Sequence, residues 1–122
     1  MIRISWIALL FLGLANLEAR DWRHELSKVL EVHCYDCHGD GARKGGLAMD
    51  ELSNKLDDPA VFAKWEQIFD RVDKGEMPPA KVKDRPTREE INLIQKNLGQ
   101  ALTTRHELKK GTVLRRLNRR EY

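Results

Sequence analysis

Cys34 and Cys37 are the only cysteines of the chain, and they stand in the segment Cys34-Tyr35-Asp36-Cys37-His38, two residues apart with a histidine directly behind the second. Nothing else in the 122 residues restricts the fold as much. On a helical turn, side chains three positions apart share a face, so both sulfurs can grip one object while His38 reaches it from the same side. A small domain gains from such an object. With 41% hydrophobic and 34% charged residues the apolar core is thin, and at this size packing alone stabilises little.

Cys-x-x-Cys-His is the attachment pattern of haem c, in which both thiols bond to vinyl groups of one porphyrin and the histidine meets the iron from the proximal side. Three other readings compete. A zinc site needs about four ligands, and no second Cys or His pair stands at ligand spacing, although His24 and His33 are near. A thioredoxin-like redox site needs a βαβ context, and no strand is read here. A structural disulfide accounts for the cysteines but leaves His38 unexplained. One covalent haem c, held by Cys34, Cys37 and His38, uses all three residues.

A low-spin electron carrier also needs a second axial ligand. Met77 lies in Gly75-Glu76-Met77-Pro78-Pro79, where two prolines stiffen an extended turn that can present the thioether to the face opposite His38. The alternative is a methionine that fills a gap in the core. Met49 is the competing thioether, but it follows a glycine-rich loop with no rigid frame; His24, His33 and His106 read as solvated surface histidines. Leu47, Phe62, Trp65, Ile68, Phe69, Ile94 and Leu98 are candidates to line a haem pocket, with ordinary core packing the competing reading. The Trp65 indole N–H is a candidate donor to a propionate.

The periodicity predicts an all-α domain. A first helix runs from the cap Asp21 to about Cys37, with the motif in its last turns. Four glycines between Gly39 and Gly46 mark a loop. Asp58 caps a second helix with Pro59 at its first position, and Gly75 ends it. Thr87 and Glu90 form a capping box that opens a third, continuing through Leu102.

The N-terminus has the order of a secretory signal: Arg3, an apolar run from Ile4 to Ala15, then a cleavage point after Ala19. Leu17 stands where a small residue is preferred, which leaves an uncleaved anchor as the alternative. Residues 1–19 are therefore assigned to a leader, residues 20–108 to the haem domain, and residues 109–122 to a linker and the truncated start of another domain. The leader places the protein in the periplasm or outside the cell, with no membrane span once it is removed. Residues 109–122 carry six of the 22 basic and one of the 19 acidic side chains, so the tail is +5 and the remainder −2 of the net +3. A basic run without stacking aromatics is no nucleic-acid surface, and none is expected.

These segments together resemble the planctomycete-type cytochrome c domain: Cys34-Tyr35-Asp36-Cys37-His38-Gly39, the following "KGGLAMDEL", "WEQIFDRVDKGEMPP" and the late "LRRLNRREY". The resemblance covers roughly residues 21–108. It implies a small class I cytochrome c-like fold of three main helices around the haem, with Cys34 and Cys37 as attachment points, His38 as proximal and Met77 as distal ligand. Such domains lie at the N-terminus of large exported proteins, so a redox partner protein or a fused downstream domain is expected. The expected activity is one-electron transfer by a carrier rather than an enzyme. The alternatives are a haem-based sensor or oxidoreductase subunit with an open distal site, and a non-haem exported thiol or disulfide protein.

Overall fold

The computed structural model describes the backbone of residues 21–120 and the side chains as far as Lys110. The assigned leader, residues 1–19, lies outside the described residues. Helix α1 spans Trp22–His33, α2 is a single turn at Tyr35–His38, a 3-10 turn covers Lys44–Gly46, α3 spans Pro59–Asp73, and α4 spans Arg88–Arg120. No strand occurs among the described residues. The all-α expectation holds.

Local chemistry sets the helix starts. The Asp21 carboxylate accepts from the Arg23 backbone N–H at 3.1 Å, and Asp58 accepts from Ala60 and Val61 ahead of Pro59. At α4, Thr87 and Glu90 exchange bonds: the Thr87 N–H donates to Glu90 Oε2 at 2.8 Å, and the Glu90 N–H to Thr87 Oγ1 at 3.2 Å. That is the full capping box, which satisfies two otherwise orphaned groups. Gly75, at φ 70°, takes the left-handed conformation that ends α3.

One boundary differs from expectation. The first helix ends at His33, and Cys34 (φ −120°, ψ −39°) separates it from α2, so the motif has a helical turn of its own. The last helix, traced through Leu102 in the sequence, continues unbroken to Arg120. No proline interrupts residues 103–120, which are rich in Leu, Lys and Arg, all good helix formers.

Helix α4 packs against both α1 and α3. Leu26, Val29 and Leu30 from α1, Trp65 from α3, Ile94, Leu98 and Leu102 from α4, and Met49 from the loop form the buried core. The α1 and α4 residues recur at helical spacing, each helix turning one apolar stripe inward. Trp22 meets Trp65 edge to face, with centroids 4.9 Å apart. Arg105 fastens α4 to the segment before α3, bonding Leu56 O at 3.3 Å and Asp57 at 3.1 Å. No helix among the described residues is long and apolar enough to cross a membrane.

Candidate functional site

The hinge at Cys34 builds the attachment turn. Its N–H still bonds Leu30 O at 2.9 Å, as the end of α1, while its carbonyl accepts from Cys37 and His38 at 3.2 and 2.9 Å, as the start of α2. Both cysteines and His38 therefore lie on one compact turn. Gly39 closes it, and its lack of a side chain matters: a Cβ there would lie 2.9 Å from Tyr35 Cβ.

Both cysteines are free thiols. Burial first, and the neighbouring Cys37 second, push the Cys34 thiol from an ordinary 9.0 up to about 11. Lys44 reaches the other sulfur, donating to Cys37 Sγ at 3.4 Å. His38 is half-buried, and its Nδ1 is buried without a hydrogen-bond partner among the described residues. A buried polar atom left unpaired costs about 1–3 kcal/mol. The donor set thus fits haem c: two thiols one turn apart and an adjoining imidazole whose Nδ1 has no partner among the described residues. No cluster of three or more His, Cys, Asp or Glu suited to a metal ion occurs among the described residues.

Met77 sits on the loop between α3 and α4. Its N–H donates to Arg71 O at 3.1 Å, and its peptide bond to Pro78 is cis. The side chain is half-buried and is not among the residues that form or pack against the core. Met49 is the reverse, at 2% exposure inside the core. The expectation that Met49 lacks a frame is corrected: its N–H donates to His38 O at 2.5 Å, and its carbonyl accepts from Arg23 Nη2 at 2.6 Å. Arg23 also bonds the Leu52 carbonyl and lies 5.3 Å from the Trp65 ring centroid.

The other expectations divide. Trp65, Ile94 and Leu98 are core, whereas Leu47, Phe62, Ile68 and Phe69 are half-buried around it. Phe62 and Phe69 also line an open cleft of about 780 Å³ between α3 and α4, which none of Cys34, Cys37, His38 or Met77 borders. The Trp65 indole N–H is committed to Ser53 O at 2.7 Å, which overrides its assignment to a propionate. His24 and His106 are exposed, but His33 is no surface residue. Its side chain is 5% exposed, with Nδ1 3.3 Å from Asp84 O and Nε2 3.2 Å from Glu90 Oε2. Both partners are more than 50 positions away in sequence, and nothing local in "EVHC" announces them.

A small all-α domain with Cys-x-x-Cys-His on a turn between helices is consistent with a cytochrome c-like fold. Residues 34–81, from the first cysteine to just past Met77-Pro78-Pro79, match the family described as planctomycete cytochrome C. The match covers the attachment turn, the glycine loop, α3 and the Met77 turn. No curated protein and no solved structure matches the chain.

Proposed function

We propose that the protein is an exported monohaem cytochrome c domain that passes single electrons. Cys34 and Cys37 would hold the haem covalently through their thiols. His38 and Met77 would be the side chains that ligate its iron. The observation that carries the reading is the buried, unpartnered Nδ1 of His38 on the same turn as two unpaired thiols. Exclusion of Met77 from the apolar core supports its role, because a methionine that merely fills a gap belongs inside.

When bound, haem supplies the iron(II)/iron(III) couple. The chain's own contribution is positional: α1 and α2 present the attachment turn, the Met49 loop backs it, and the core beneath excludes water. Leader residues 1–19 support export. The partner is a redox protein or a downstream domain, met through a small and transient contact of the kind typical of electron transfer.

The test is expression in a host that matures cytochrome c. Haem should stay on the denatured chain through acidic acetone extraction. A colourless polypeptide with a Cys34–Cys37 disulfide would falsify the proposal.

A further inference from the structure

No residue of the Met77 turn belongs to the apolar core or to the hydrophobics packed against it, and polar anchors hold the turn at three points. At the near end, the Glu76 and Met77 N–H groups both donate to Arg71 O, at 2.9 and 3.1 Å. At the neck, Arg85 Nη2 donates to Gly75 O at 3.3 Å and closes the loop on itself. At the far end, Asp84 O meets His33 Nδ1. The other nitrogen of the same ring meets Glu90, the acidic half of the box that starts α4.

One nearly buried ring therefore joins three elements: the end of α1, the far end of the Met77 loop and the first turn of α4. The residue after it is Cys34. Both ring nitrogens face acceptors, a carbonyl and a carboxylate, so the doubly protonated ring satisfies both and a neutral ring only one. A side chain this enclosed, with both polar atoms engaged, ties the attachment turn to the loop across the site.

We propose that His33 is a positioning residue for Met77, holding the distal loop closed against the attachment turn; the inference rests on the reading of Met77 as axial ligand. An exogenous ligand can take the Met77 place only while the loop is open, so its apparent affinity reports the open fraction. Loss of the two hydrogen bonds should raise that fraction roughly tenfold or more.

The experiment titrates ferric holoprotein with imidazole and follows the near-infrared charge-transfer band of Met-ligated haem. His33→Phe should bind imidazole about tenfold more tightly and show a weaker band. Glu90→Gln keeps an amide oxygen for the Thr87 N–H while removing the charge from His33, and should shift both readouts in the same direction by less. Leu102→Ala, in the core more than three turns along α4, should lower thermal stability and leave imidazole affinity at the wild-type value.

Wild-type affinity in His33→Phe, or in Glu90→Gln where the phenylalanine variant yields no holoprotein, overturns the proposal. Equal tightening in Leu102→Ala also overturns it, since the effect is then general loosening. Met77→Ala separates the two readings. If it abolishes the band while the His33 variant behaves as wild type, Met77 is the ligand and His33 does not position it. If it leaves the band unchanged, the ligand assignment falls and the positioning role falls with it.

Discussion

The Met49 backbone N–H donates to the His38 carbonyl at 2.5 Å, which couples the glycine loop directly to the end of the attachment turn. Met49 meanwhile buries its side chain among Leu26, Trp65 and Leu98. Met49 and Met77 thus have opposite settings, one inside the apolar core and one outside it.

Substitution should separate them. Met49→Ala empties a buried site and should cost about 2–5 kcal/mol of stability while retaining the near-infrared band. Met77→Ala should abolish the band and lower the reduction potential, with a smaller loss of stability. Denaturant melts and near-infrared spectra of the two variants are the check; loss of the band in Met49→Ala with its retention in Met77→Ala reverses the assignment.

Arg23 should prove intolerant of lysine. Its guanidinium spans the Met49 and Leu52 carbonyls and lies against Trp65, which a single ammonium cannot reproduce. Arg23→Lys is expected to lose about 1–3 kcal/mol, because part-buried carbonyls are left unpaired. Urea unfolding of the two proteins measures it.

The unligated protein should lose stability in alkali. Cys34 has a folded-state value raised from 9.0 to about 11, so its neutral thiol is favoured by folding. Between those values the unfolded chain has released a proton that the folded chain keeps, and stability falls as pH rises. Cys34→Ser should flatten that part of the profile. Alkylation of the haem-free form should also be slower at Cys34 than at Cys37 near neutral pH, as peptide mapping would show.

Acid should act through Glu90. Its carboxyl is held below the ordinary 4.5, first by the Thr87 backbone N–H and then by His33, against an opposing effect of burial. The stabilisation is complete above the unfolded value and is lost as pH falls through the depressed folded one. Side-chain carboxyl NMR should show Glu90 titrating below the ordinary glutamate value of 4.5, and Thr87→Ala should cost about 1 kcal/mol of stability. Titration of Glu90 at 4.5 or above contradicts the capping geometry.

Much of the chain was legible because its signals are local. Asp58 with Pro59, Thr87 with Glu90, and Gly75 act within one turn of backbone, so residue type and spacing sufficed to place three helix ends. The Cys34, Cys37 and His38 constellation is likewise a matter of spacing along five residues, and the family resemblance adds three further contiguous segments. Tertiary structure alone decided the rest, since those properties depend on groups far apart in sequence. Met49 is core because α1, α3 and α4 close over it, and Trp65 spends its indole on Ser53 because a loop returns to it. His33 leaves the solvent only because Asp84 and Glu90, 51 and 57 positions later, fold onto its two nitrogens. Such contacts form where chain folding brings distant acceptors to one ring, and no periodicity in the sequence encodes that meeting.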